Sequence, residues 1–255
     1  MKVISFGTLK GGTGKTTTTF STAGILQEMG KKVLCCDLDP QANLTYNFGI
    51  NVDEDTKTLL DVFEDDETLP VKVVQHCDGI DLIPSTIKLT GTEMQLVNYP
   101  GREYILKNFI EDHHDFFNQY DYVLIDTNPS MSILNQNAFI SSDAIILVNE
   151  AGAHSLTGSL LFMDLWEGIT KRLRIKNNIK GFLINRFRKT KISNEFVSHC
   201  KTHARINDIL FNTIIPINVK VAEAETESTP ISAYSKNSTG AIAFKNFVKE
   251  LIERV

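Results

Sequence analysis

The chain is poor in cysteine and has no long apolar run, and each shortage narrows its class. The four cysteines, Cys35, Cys36, Cys77 and Cys200, include no CxxC pair, and in the cytosolic compartment expected below disulfides are disfavoured. Cys35 and Cys36 fall in an apolar stretch and read as small core residues. The longest apolar runs, such as 144–148, stop far short of the roughly 20 residues that a membrane-spanning helix needs. The opening Met1-Lys2-Val3-Ile4-Ser5 runs directly into a strand pattern, with no signal-peptide core or cleavage site, so the cytosol is the expected compartment. There are no internal repeats, low-complexity tracts or proline-rich linkers, which suggests a single domain over residues 1–255. The early first strand leaves no room for an N-terminal helix-turn-helix domain, so operator recognition is not expected. Of the six histidines, His199 and His203 have helical i,i+4 spacing but lack a third ligand, and a surface helix is the favoured reading over a metal site.

What remains is an ordinary globular composition. Of 255 residues, 42% are hydrophobic and 22% charged, with a net charge of -5, which excludes disorder as the dominant state. A chain of this length buries roughly three quarters of its unfolded surface and needs no metal or disulfide staple. Charge is uneven along it. Residues 53–67 hold eight acids and one lysine, as expected of a solvated loop and helix. Residues 171–191 hold nine Lys or Arg and no acid. That run reads either as a solvated helix end and loop or as a patch for a polyanion, since clustered cations raise affinity for phosphate backbones even in an acidic protein.

Short apolar runs alternate with helical patterns from end to end. Runs at 3–8, 32–38, 80–84, 122–126, 144–148, 181–185 and 213–216 are the strands expected, and 15–29, 155–173 and 194–205 are helices between them. Continuous apolar strands separated by helices indicate a mostly parallel sheet covered on both faces, a doubly wound α/β domain. Residues 240–255 place Phe244, Phe247, Val248, Leu251, Ile252 and Val255 on one helical face. Glu250 and Glu253 lie among the few basic residues of this segment, so packing on the sheet is favoured over a membrane anchor.

The most specific feature is Lys10-Gly11-Gly12-Thr13-Gly14-Lys15-Thr16-Thr17, directly after a strand and opening a helix. Glycines let the backbone curl so that several N–H groups converge on one anion, and the helix N-terminus adds the positive end of its dipole. Lys15 supplies a cation for the β- and γ-phosphates, and the Thr16 hydroxyl suits Mg²⁺. Asp126 ends an apolar strand, where the carboxyl edge of an open α/β sheet binds its ligands, and can hold Mg²⁺ through water. Asp37 and Asp39 leave the second strand at the same edge. Asp39-Pro40 could also be no more than a turn.

The common phosphate loop carries glycine five positions before Gly14, where this chain has Leu9, and here Lys10 precedes the double glycine. In these residues the chain resembles the deviant Walker A ATPases of the ParA/MinD family. The resemblance continues through Asp37-Leu38-Asp39-Pro40-Gln41-Ala42-Asn43, Leu82-Ile83-Pro84-Ser85, Tyr122-Val123-Leu124-Ile125-Asp126, Ile215-Pro216-Ile217-Asn218 and Tyr234-Ser235-Lys236-Asn237-Ser238-Thr239-Gly240-Ala241. It covers almost the whole chain and is greatest for the ParA/Soj branch, the DNA-partition ATPases. It implies a deviant Walker A P-loop fold that hydrolyses ATP to ADP with Mg²⁺. Residues Lys10, Gly11, Gly12, Thr13, Gly14, Lys15, Thr16 and Thr17 would hold the phosphates. Pro216 and Asn218 would border the adenine, with Asn185 assisting. Asp39 would act on the attacking water, Asp37 would support the metal shell of Thr16 and Asp126, and Lys10 would reach the partner's phosphates in a nucleotide-bound homodimer.

The same resemblance implies that the ATP-bound dimer binds DNA without sequence preference, is nucleoid-associated in that state, and is released when a centromere-binding ParB-like partner stimulates hydrolysis. The alternative is a MinD-like membrane switch for division-site placement. A nitrogenase-iron-protein-like role would need cysteines that Cys77 and Cys200 do not supply, and a nucleotide-binding scaffold without catalysis is argued against by Lys15 together with Asp39. The chain also departs from the family pattern. Asn128 stands where a proline is usual, Ile217 where an arginine is usual, and Ala224-Glu225-Thr226-Glu227-Ser228 replaces a Pro/Ser/Gly-containing stretch. The loss of charge at Ile217 shifts the expected DNA contacts to Arg186, Arg188, Lys189 and Lys191.

Overall fold

In a computed structural model, residues 1–152 and 155–255 are described. Among them, eight strands make one sheet: β1 (Lys2–Gly7), β2 (Val33–Asp37), β3 (Gln75–Cys77), β4 (Ile80–Ile83), β5 (Tyr122–Asp126), β6 (Ala144–Glu150), β7 (Ile179–Phe187) and β8 (Leu210–Pro216). Their order is β3-β4-β2-β5-β1-β6-β7-β8. Every pairing is parallel except β3 with β4, which run antiparallel at one edge. The doubly wound α/β fold expected from the alternation is therefore what the chain adopts.

The central strands are buried along their whole length because both faces are covered. Successive side chains point to opposite faces. Val3, Val123 and Ile125 join Phe139, Phe162 and Trp166 in one core, while Ile4, Leu124 and Ile146 join Phe20, Phe244 and Phe247 in the other. The first core is roofed by helices that include Ile105–Asp112, Ile133–Ser141, Ser155–Leu173 and Lys191–Thr202. The second is roofed by Lys15–Glu28, Val219–Thr226 and Thr239–Arg254. Phe244, Phe247, Val248 and Leu251 of the last helix are all buried, and it packs on β8 and on Lys15–Glu28. The apolar face that a lipid anchor would need is thus part of the core.

The two sheet edges differ. β3 is only three residues long. It escapes the apolar pattern because Gln75 and His76 carry no such signal. On the open side of β8, the Glu250 carboxylate accepts from the Asn212 and Thr213 N–H groups at 2.8 and 2.9 Å. The Arg254 guanidinium donates to the Ile209 and Leu210 carbonyls at 2.7 and 2.6 Å and lies 4.1 Å from the Phe211 ring centroid.

Other boundaries shift for local reasons. The basic run at 171–191 is no single helix end and loop, since β7 passes through it. The helix expected at 194–205 begins at Lys191 because Thr190 caps it, accepting from the Ser193 N–H at 3.2 Å. In the acidic stretch, Thr58 and Asp61 form a capping box that starts Leu59–Glu64. Among the described residues no helix is long and apolar enough to cross a membrane, and no three His, Cys, Asp or Glu side chains form a preformed metal cluster, His199 and His203 included.

Candidate active site

The carboxyl ends of β1, β2 and β5 lie side by side, because Phe6 and Asp37 are both register partners of Asp126. The loop leaving β1 turns at Gly12 and Gly14, whose φ angles of +74° and +84° suit residues without Cβ. A Cβ on Gly14 would also come within 2.5 Å of the Asn185 amide nitrogen. That closeness has a purpose in the packing. The Asn185 Nδ2 donates to the Thr13 carbonyl at 2.9 Å and to the Gly14 carbonyl at 3.3 Å, tying the loop to β7. Gly14 opens helix Lys15–Glu28 with no side-chain cap and no acid in its first turn. The first N–H groups of that helix are left for an anion.

Lys15 is only 7% exposed. Burial pulls its ammonium below the ordinary lysine value, and the carboxylates of Asp126 and Asp39 oppose that shift. The Thr16 hydroxyl donates to Asp126 Oδ2 at 2.6 Å. Asp37 accepts from the Thr45 N–H and hydroxyl, both at 2.8 Å, and from the Asp39 N–H at 3.2 Å. Burial first, and then the Asp126 carboxylate, raise Asp37 to about 8. Burial raises Asp126 to about 6, held down chiefly by Lys15 and then by the Thr16 hydroxyl. Thr45 and Ser85 complete the support. The Ser85 N–H donates to Thr45 Oγ1 at 2.9 Å, and its hydroxyl donates to the Asp39 carbonyl at 2.7 Å.

These groups surround a cavity of ≈ 460 Å³ lined by the glycine loop, Lys15, Thr16, Thr17, Asp39, Gln41, Asn43, Asn47, Pro129, Arg186 and Glu225. A second cavity of ≈ 240 Å³ adjoins it and is walled by Ile215, Pro216, Ile217, Asn218, Val221 and Phe244. Asn218 is already engaged there. Its Oδ1 caps helix Val219–Thr226 through the Lys220 N–H, and its Nδ2 donates to Thr239 Oγ1, both at 2.8 Å. One hydroxyl beside two buried carboxylates is a donor set suited to a hard ion that keeps several waters and shares phosphate oxygens, as Mg²⁺ does.

A family model described as an AAA domain matches residues 1–181. The chain is 31% identical to the sporulation initiation inhibitor protein Soj of Bacillus subtilis, over 98% of this chain and 98% of that protein. This chain belongs to the ParA/Soj family of deviant Walker A ATPases. It is 29% identical to the chromosome partitioning protein ParA of Caulobacter vibrioides, over 100% of this chain and 95% of that one. A putative plasmid partition protein of Borrelia burgdorferi bound to AMPPNP has the same fold, with a TM-score of 0.83 at 22% identity over 100% of this chain and 99% of its own.

The signature lysine of this ParA/Soj-family chain stands at the rim. Lys10 Nζ lies 3.5 Å from Glu150 Oε2, and Arg186 Nε lies 4.0 Å from Glu150 Oε1. Glu150 is the register partner of Asn185. It was not anticipated from the sequence, because the expected strand stopped at Val148, whereas β6 runs to Glu150. An acid ending an apolar strand was the available signal, the same one that marks Asp126. Arg186 lines both cavities, with a φ of +51°. Arg188, Lys189 and Lys191 are exposed beyond it, where β7 gives way to helix Lys191–Thr202. Lys191 Nζ lies 3.9 Å from Glu195.

Proposed function

We propose that this chain binds ATP with Mg²⁺ at the Gly11–Thr17 loop, hydrolyses it to ADP and phosphate, and acts as a switch that holds DNA in its ATP-bound dimeric form. The observation that carries this reading is the buried Lys15, beneath an uncapped helix N-terminus and in one cavity with Asp39. Burial still pulls the Lys15 ammonium down despite Asp126 and Asp39, and a phosphate chain adds the further negative charge that favours it. The loop N–H groups and Lys15 bind the β- and γ-phosphates, and Pro216 and Asn218 border the base. Asn185 keeps the loop in shape. Mg²⁺, held by Thr16 and Asp126 with Asp37 behind, would neutralise charge on the phosphate oxygens. Asp39 orients the attacking water, and Lys10 reaches the partner's phosphates in a sandwich dimer.

Two chains held together in this way double the phosphate contacts available to DNA, so avidity ties DNA affinity to the nucleotide state. Arg186, Arg188, Lys189 and Lys191 are the contacts offered, and a ParB-like centromere-binding partner would stimulate hydrolysis and release. In a cell this makes a cytoplasmic protein that is nucleoid-associated while ATP-bound and that segregates a plasmid or chromosome. The test is a polarisation assay with unrelated duplexes at two salt concentrations, with ADP and with a slowly hydrolysed ATP analogue. Binding should need the analogue, ignore sequence and fall steeply with salt. Reversing Arg188 and Lys189 to Glu should abolish it. Equal binding with both nucleotides, or full binding by the reversed variant, overturns the reading.

A further inference from the structure

A nucleotide with its phosphates in the larger cavity and its base in the smaller one must carry its sugar across the boundary between them. Three residues line both cavities: Thr17, Arg186 and Glu225. A ribose presents two hydroxyl donors there and requires acceptors. An arginine can only donate. An ionised carboxylate is all acceptor, and Glu225 is the one carboxylate of the three. It comes from helix Val219–Thr226, on the stretch where this chain departs from its family's Pro/Ser/Gly pattern.

Its surroundings keep it in place. The side chain is half-buried, and Asn47 Nδ2 donates to Glu225 Oε1 at 3.4 Å. Burial raises the carboxyl, while the hydrogen bonds from Thr17 and Asn47 and the charge of Arg186 hold it down. A carboxylate has several acceptor positions, so these contacts do not use up its capacity to accept. It repels phosphate oxygens, so of the parts of a nucleotide the hydroxyl-bearing sugar at the seam is the one it suits.

We infer that Glu225 accepts a hydrogen bond from a ribose hydroxyl and so makes the site discriminate ribonucleotides from deoxyribonucleotides. This rests on the ATP reading above. A hydrogen bond to a charged acceptor in a partly desolvated site corresponds to a discrimination of about tenfold or more.

The experiment is calorimetric titration of the full chain, in Mg²⁺, with ADP, 2′-deoxy-ADP and 3′-deoxy-ADP, where no turnover intervenes. Wild type should bind ADP about tenfold more tightly than at least one deoxy form. Glu225→Ala and the isosteric Glu225→Gln should both bring that ratio toward one, with thermal melting used to show that each variant is folded. A wild-type ratio near one, or a ratio that survives in both variants, overturns the assignment while leaving the ADP site intact. Failure of wild type to bind ADP at all would instead overturn the underlying nucleotide reading, and the assignment with it.

Discussion

Asp37 and Asp126 are register partners on neighbouring strands, and both side chains are wholly buried. The sheet therefore brings two acids together at the edge where the loop of Lys15 meets them. Burial holds Asp37 up to about 8 and Asp126 up to about 6. The unfolded chain loses these protons near pH 4, well before the folded one. Stability from these groups is thus fully present below that pH and is lost as pH rises through the folded values. In the window from pH 6 to 8, the melting temperature of the protein without Mg²⁺ or nucleotide should fall as pH rises. Asp37→Asn should flatten most of that slope. A slope that is absent, or unchanged in the variant, would contradict the account.

Asn185 links β7 to the phosphate loop through hydrogen bonds to the Thr13 and Gly14 carbonyls. Asn185→Ala leaves the buried Thr13 carbonyl without that partner, at a cost of about 1–3 kcal/mol. Chemical denaturation should show that loss, and ADP affinity should fall with it because the loop is no longer held. A variant with wild-type stability and affinity would remove Asn185 from this role.

Asp39 lines the cavity opposite the helix N-terminus that takes the phosphates, and its Oδ1 accepts from the Gln41 N–H at 3.0 Å. Asp39→Ala should therefore retain ATP binding, hydrolyse it barely, and accumulate as the ATP-bound dimer. Phosphate release together with light scattering measures both. Normal turnover would show that the water is oriented elsewhere.

Glu150 holds Lys10 at the rim of its own protomer's cavity. Exposed pairs of this kind contribute about 0–1 kcal/mol. If Lys10 acts across a dimer, Glu150→Gln frees it and should tighten ATP-dependent dimerisation by up to about fivefold, whereas Lys10→Ala should prevent it. Sedimentation with a slowly hydrolysed analogue decides this, and weaker dimerisation of the Gln variant would point to a contact of Glu150 with the partner.

Much of this arrangement is legible in the sequence alone. The order Gly11-Gly12-Thr13-Gly14-Lys15 after an apolar strand names a local turn, and the alternation of apolar runs gives the parallel sheet. Asp37 and Asp126 were marked by ending such runs. What escaped depends on long-range register. Asn185 lines the cavity expected for the base, and its second task, bracing a loop 172 residues away, was not visible in the sequence. Asn47 and Glu225 meet across 178 residues. Thr45 and Ser85 are ordinary hydroxyl residues until β2 and β4 pair and bring them to the acids. No local periodicity encodes such meetings.

The side chains of Glu250 and Arg254 against β8 have a consequence for crowding. An unprotected outer strand is a template on which another chain can add main-chain hydrogen bonds and start a fibre. Here two of its amides and the carbonyls at its start are already engaged. Encounters between copies therefore cannot extend the sheet through these groups. Shortening the chain before Glu250 would unmask these groups, so the last six residues protect solubility as well as contributing to the core.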